Sequence, residues 1–368
     1  MHVIVNRKQL ILAMDAIIGF ASGKMGFDIG RMFMVSTCKD RIVMVATDLE
    51  STGITTVKAE IKETGSACIE AQRMRAVAQK YPGDAMAIVK EKNGIRIQTG
   101  ATRFNLAYTG TDIFPNPPEI GNAFMAVDGE ILEKAFKKLL MVGSSDPRPH
   151  VAGVRMYSGE NGIITCLSTD GGRLVRYRVP VLEGESFEID RLVPKRAMAE
   201  ARKSFFGRVE IGVKGAHFIF KNGQDGLERV ICARTYEGAF PGIEKLISDE
   251  GYPCLVDRLE LLAAMERMAI FLTPEISGAN FIFKKNQIKI VVVAPDAGES
   301  DEKITVEYTG PDMEIVFNLK YMIDYMAKIV DKKITMTIQG PRQACRLRSA
   351  LDQNYDFVIM PMRQVGEQ

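Results

Sequence analysis

A chain of 368 residues is long enough for two or three domains with separate cores. Its 48 basic and 46 acidic side chains leave a formal net charge of only +2, so any face that attracts nucleic acid or a membrane must come from local placement of charge. The six cysteines and three histidines are scattered, with no C-x-x-C and no metal-ligand spacing, which points to buried, reduced thiols and away from a metal module or a secreted scaffold.

From the N-terminus, a short strand leads into helical spacing over residues 9–19, with Leu10, Met14 and Ile17 on one face. No basic start with an apolar core marks a secretory leader, and no apolar run is long enough to span a bilayer, so the expected location is the cytoplasm. A strand at 41–46, a second helix at 71–81 and a strand at 94–99 follow. The pattern then restarts. A helix over 130–141 places Ile131, Ala135, Phe136 and Leu139 on one stripe, Pro194 opens a helix over 194–206, and strands follow at 208–213 and 216–220. A third series has a helix over 259–272 with Leu262, Met265 and Ala269, strands at 280–283 and 287–293, a helix over 318–330 opened by Asn318, and a strand at 334–338.

These starts recur at intervals of roughly 120 residues, too long for a solenoid and suited to a repeat of whole domains. Turn signatures recur with them. Thr47-Asp48-Leu49, Thr169-Asp170-Gly171 and Pro295-Asp296-Ala297 end equivalent strands, and Phe114-Pro115, Phe240-Pro241 and Met360-Pro361 close the three units. The unit reads β-α-β-β-β-α-β-β-β, present three times, with domains at 1–121, 122–251 and 252–368.

Charge follows the helices. The second helix of the first unit carries Arg73, Arg75 and Lys80 with no acid, and that of the second carries Lys195, Arg196, Arg202 and Lys203 against Glu200. Together the six helical windows are net positive and the remainder is net negative. A helical surface that faces an anion and a sheet surface that repels one fit non-specific contact with phosphate backbones. No catalytic constellation is present. The segment Gly19-Phe20-Ala21-Ser22-Gly23-Lys24 is one residue short of a phosphate loop and follows a helix. No carboxylate set gathers for a metal, so neither an enzyme nor a cofactor or metal is expected.

Three repeats of this size, the corner Thr169-Asp170-Gly171-Gly172-Arg173-Leu174, Phe240-Pro241, Phe317-Asn318-Leu319-Lys320-Tyr321 and the tail Val358-Ile359-Met360-Pro361-Met362-Arg363 resemble the bacterial sliding clamp family, the beta subunit of DNA polymerase III. The resemblance implies an α+β fold of three tandem clamp domains, each with two helices packed on antiparallel sheets. It implies a head-to-tail homodimer closing into a six-domain ring around duplex DNA, bound without regard to sequence. The implied partners are the replicative DNA polymerase, the clamp loader and other peptides with a clamp-binding motif, and no membrane. A domain-repeat scaffold that binds proteins without encircling DNA is the alternative.

By the resemblance, a peptide pocket uses Arg148, His150, Val151, Thr169, Gly171, Arg173, Leu174, Pro241, Lys245, Leu246, Asn318, Tyr321, Val358, Ile359, Met360, Pro361, Met362 and Arg363. DNA contact falls to Lys24, Arg73, Arg75, Lys195, Arg196, Arg202, Lys203 and Lys320, and the dimer interface to Phe104, Leu106, Ile270 and Phe271. The chain departs from the family at Gly172, where a histidine is usual, at His150 in place of an aromatic residue, and at Lys245 in place of an arginine.

Overall fold

The structure is a computed structural model that describes residues 1–23, 28–143, 146, 148–184, 187–295 and 298–362; the side chains of Asp28 and Glu160 are not described. Lys24, Asp296, Ala297 and Arg363, singled out in the sequence, lie outside the described residues. Seven α-helices occur among the described residues: α1 (Arg7–Ile17), α2 (Ala71–Lys80), α3 (Gly129–Leu139), α4 (Pro149–Ala152), α5 (Lys195–Ala201), α6 (Arg258–Met268) and α7 (Leu319–Met326). All but the single-turn α4 answer to the six expected helices.

The chain turns from a strand straight into a helix, and the last strand residue caps it. Asn6, Glu70, Asp128, Asp257 and Asn318 each accept a hydrogen bond from a backbone N–H of the first turn. Each cap satisfies donors that have no partner inside the helix. Pro194 stands at the same place before α5 and provides no side-chain cap, and α5 gives way to a 3-10 turn at Arg202–Ser204.

Among the described residues four strands, not three, separate the two helices in each of the first two units, and the third adds the two-residue strand Glu307–Tyr308 to make five. In the first unit they are Met32–Cys38, Arg41–Thr47, Ser51–Glu63 and Ser66–Glu70, and the extra one is the short strand that ends in the cap. Asp190–Pro194 and Met313–Asn318 are its counterparts. In the first two units it has five residues with little alternation, which left it unread in the sequence. A second correction concerns α6. Its buried stripe is Leu261, Ala264, Met265 and Met268, one position earlier than Leu262 and Ala269, because adjacent leucines make the phase ambiguous.

By contact the chain groups into two compact units, Met1–Phe136 with Glu160–Gly162 and Pro180–Tyr236, and Lys137–Gly159 with Ile163–Val179 and Glu237–Gln368. The middle repeat is thus divided. Continuous sheets explain this. In the first unit Ser51–Glu63 pairs antiparallel with Leu227–Arg234, from Ser51 opposite Ala233 to Val57 opposite Leu227. In the second, the start of Arg173–Gly184 pairs with Tyr355–Ile359, from Arg173 opposite Ile359 to Tyr177 opposite Tyr355. Each pairing runs from one repeat into the next, so hydrogen bonds cross the sequence boundaries.

Each unit has its own apolar interior. In the first, Leu10, Met14 and Ile17 of α1 and Met74 and Ala78 of α2 are buried with strand residues such as Phe33 and Ile97. In the second, Tyr325 of α7 stacks on Phe357 with ring centroids 4.8 Å apart. Five cysteines are buried and Cys38 is exposed. Burial alone pushes the thiols of Cys166, Cys232 and Cys254 up to about 12, which leaves them inert.

Candidate functional site

The corner after strand Ile163–Thr169 is built by its own side chains. Thr169 Oγ1 donates to the carbonyl of Arg173 at 2.8 Å and accepts from the N–H of Gly171 at 3.1 Å. Asp170 Oδ1 accepts from the N–H groups of Gly172 and Arg173 at 3.1 and 3.0 Å. Gly171 takes φ +91°, a left-handed value that favours glycine. A Cβ there would meet nothing within 4 Å, so conformation, not crowding, selects the residue.

Arg173 then locks the corner to its surroundings. Its Nε donates to Asp170 Oδ2, one terminal nitrogen to Asp324 Oδ2 and the other to the carbonyl of Met141, each at 3.0 Å. The guanidinium is almost fully buried, and every contact it makes here is charge-assisted or to a carbonyl, as a buried cation requires. Tyr321 lies against it, and burial followed by the nearby Asp170 charge raises the phenol above its usual value.

Beside the corner is a cavity of about 230 Å³ lined by Arg148, His150, Val151, Thr169, Gly171, Arg173, Leu174, Pro241, Ile243, Leu246, Val358 and Met360. Leu174 and Val358 line it and belong to one buried apolar cluster with Leu167 and Ala344, against which Tyr157, Phe240, Ile247 and Met360 pack. Arg155 donates to Glu244 at 2.9 Å and stacks on Tyr157, which fixes the 3-10 turn Glu244–Leu246 as one wall. Strand Tyr355–Ile359 is the other wall. Asp356 within it is fully buried and accepts from Arg346 and Arg176. Pro149 begins α4, whose turn carries His150 and Val151 to the rim. At the mouth Arg148 donates to Asp146, and that hydrogen bond holds the Asp146 carboxyl below its usual range. An apolar groove with a few polar rim groups suits a short peptide with apolar anchors.

Eleven residues expected at this site line the cavity, and Ile243, unread in the sequence, joins them. Its signal was its place three residues before Leu246 on one turn. Others have structural tasks. Asn318 caps α7, Tyr321 supports Arg173, and Ile359 is buried opposite Arg173 in the sheet. Lys245 is exposed on its turn, and Met362 donates its N–H to Val316 at 2.7 Å and packs at Gly278. Pro361 lies in the chain between the cavity residue Met360 and Met362.

Two family models match this chain, the DNA polymerase III beta subunit N-terminal domain over residues 1–118 and its C-terminal domain over residues 249–363. The chain belongs to the DNA polymerase III beta subunit family. It is 23% identical to the beta sliding clamp of Pseudomonas putida, over 99% of this chain and 100% of that protein. Among solved structures, the DNA polymerase III subunit beta from Pseudomonas aeruginosa superposes with a TM-score of 0.91 at 22% identity, over 99% of this chain and 100% of that one. The pol III beta of Caulobacter crescentus gives 0.91 at 23% identity, over 99% and 100%. The fold is therefore the three-domain clamp fold, α+β, with two helices per repeat on antiparallel sheets. Among the described residues no helix is long and apolar enough to cross a membrane, and no group of three or more potential metal ligands gathers.

The basic residues expected to face DNA are less free than their sequence suggests. Arg75 donates to Asp15 and ties α2 to α1. Arg202 reaches Glu133 at 3.4 Å, Lys203 reaches Glu200 at 2.7 Å, and Arg196 reaches Asp48 at 3.0 Å. Arg73 stays 77% exposed beside Glu70, and Lys195 and Lys320 sit in the first turns of α5 and α7. Phe104 and Leu106 are half-buried on strand Thr102–Leu106, while Ile270 is 77% exposed and Phe271 lies over Gly298.

Proposed function

We propose that two copies of this chain close head to tail into a ring around duplex DNA, and that the cavity beside Arg173 captures short peptides of the replicative DNA polymerase, the clamp loader and other partners. The role is mechanical: the ring keeps a polymerase on its template and performs no chemistry. The three repeats, 1–121, 122–251 and 252–368, are its domains.

One pattern of strand pairing carries the reading. Within the first unit, the strand after the first corner pairs with the last strand of the second repeat. Within the second unit, the strand after the second corner pairs with the last strand of the third. Among the described residues, the strand after the third turn signature of the sequence, Gly298–Thr305, pairs on one edge alone, with Gln287–Ala294. The matching strand of the first repeat, Thr102–Leu106, followed only by the two-residue strand Tyr108–Thr109, also pairs on one edge alone among the described residues, with Gly94–Thr99. These are the two halves of one further junction, and a second copy supplies both. Unpaired edges invite pairing, and the charges agree, since Glu299, Asp301 and Glu302 lie on one strand and Arg103 on the other. The apolar residues Phe104, Leu106, Ile270 and Phe271 supply the interface core.

A closed ring holds DNA by topology, so each phosphate contact can be weak and mobile. Arg73, Lys195, Lys203 and Lys320 supply such contacts. A fluorescence titration with a labelled peptide from the polymerase C-terminus tests the pocket. Wild type binds, and Met360→Asp weakens binding at least about tenfold without breaking the dimer. Equal affinity in the two proteins would move the peptide site elsewhere.

A further inference from the structure

The first corner repeats the second bond for bond. Thr47 Oγ1 donates to the carbonyl of Ser51 at 3.0 Å and accepts from the N–H of Leu49 at 3.1 Å. Asp48 Oδ1 accepts from the N–H groups of Glu50 and Ser51 at 3.2 and 2.7 Å. Even the cation at the corner carboxylate is reproduced from another source: Arg196 reaches Asp48 Oδ2 at 3.0 Å, as Arg173 Nε reaches Asp170 Oδ2.

A cavity of about 240 Å³ sits beside this corner too, lined by Ile29, Gly30, Thr47, Asp48, Leu49, Ile113 and Pro115. All of these residues belong to the first unit. Leu49 stands where the second corner has Gly171 and holds φ +72°, a strained value for leucine, with its side chain 55% exposed. Ile113 is 56% exposed. Two half-exposed aliphatic side chains at one apolar mouth, one of them on a strained backbone, are more than the corner needs to fold.

Charge states what fits. Gly23 donates its N–H to the carbonyl of Gly30, a lining residue, at 2.8 Å. The exposed Arg31 lies over Gly23, and Arg196 donates to Ser22 Oγ at 2.8 Å while 41% exposed. Two guanidinium groups therefore stand at Ser22 and Gly23, the latter bonded to the lining residue Gly30. Asp48 is buried and engaged, which leaves Glu50 as the opposing exposed acid at the corner. The balance favours an acidic ligand.

We propose that this cavity is a second peptide site, taking an extended segment with an aliphatic or aromatic anchor between carboxylates. The anchor enters between Leu49 and Ile113, and a flanking carboxylate meets Arg31 or Arg196. The proposal rests on the reading that the cavity beside Arg173 binds peptides. It differs in grip, because Leu49 fills space that Gly171 leaves open, and so the first site binds more weakly.

Calorimetric titration of the full chain with a synthetic peptide carrying leucine and phenylalanine anchors between glutamates tests it. Wild type takes up two peptides per chain. Leu49→Gly, which relieves the strained backbone and opens the space that Gly171 leaves at the second corner, tightens the weaker event, and Ile113→Asp, at an exposed position, removes it; neither changes the tighter event. Met360→Asp removes the tighter event and leaves the weaker one. A single event per chain, lost in Met360→Asp and untouched by Leu49→Gly and Ile113→Asp, overturns the second site and leaves the first reading standing. No binding to any of the proteins overturns both. If duplex DNA alone binds through Arg31 and Arg196, with no peptide event sensitive to Leu49→Gly, the basic rim serves DNA and the proposal fails.

Discussion

Arg173 and Tyr321 are stacked, the guanidinium carbon 3.9 Å from the ring centroid. Asp170 and Asp324 hold the same guanidinium from its edges. Truncating it leaves Asp170, nearly fully buried, without its cation. Arg173→Ala should destabilise the second unit by about 3 kcal/mol, the usual scale for breaking a buried pair. Arg173→Lys should recover little of this, because an ammonium cannot bond both carboxylates and the Met141 carbonyl in one plane. Chemical unfolding followed by tyrosine fluorescence measures both, and an unchanged midpoint for Arg173→Ala would show that the network carries no stability.

Gly172 has a steric reason in this chain. A Cβ there would stand 3.1 Å from Tyr321 Cε2, so any side chain pushes the ring away from Arg173. Restoring the family's usual residue, Gly172→His, should cost about 1–2 kcal/mol through overpacking and weaken peptide binding. Thermal unfolding and the peptide titration check it. Tighter binding would mean that Tyr321 moves without loss.

The two leftover edges make a prediction about assembly. Leu106→Lys on one edge, or Phe271→Ala beside the other, should shift the chain toward monomer in sedimentation velocity at submicromolar concentration. Each alone should suffice, since in a two-fold head-to-tail dimer one substitution appears at both junctions. A variant that stays fully dimeric would remove its residue from the interface.

The cations that stay mostly exposed and the one that ties two helices together should separate. Arg73→Glu with Lys203→Glu and Lys320→Glu should weaken retention on DNA and flatten its salt dependence, with the fold intact. Arg75→Glu should instead lower stability, since it sets a carboxylate against Asp15 between α1 and α2. Salt-dependent binding assays and melting curves read the two effects. Equal melting loss in both variants would deny the distinction.

Much of this was legible in the residues. The helices and the recurrence of the corners come from apolar spacing and from turn chemistry that each corner carries in its own side chains. The pocket was legible only through resemblance, because Leu174 and Val358 by themselves read as ordinary core. What stayed hidden was set by distant partners. Nothing near Arg75 or Arg196 in sequence announces Asp15 or Asp48, so both read as free cations. The strand Ser66–Glu70 was too short to alternate, and the stripe of α6 was blurred by Leu261 beside Leu262. The sequence boundaries of the middle repeat hide the sheets that cross them.

The central claim is that two chains close into a ring, and direct imaging tests it. Class averages of the purified protein by negative-stain electron microscopy should show two-fold particles with a central hole wide enough for a DNA duplex, and Leu106→Lys should abolish them. Monomers, or dimers with no central hole, would contradict the account.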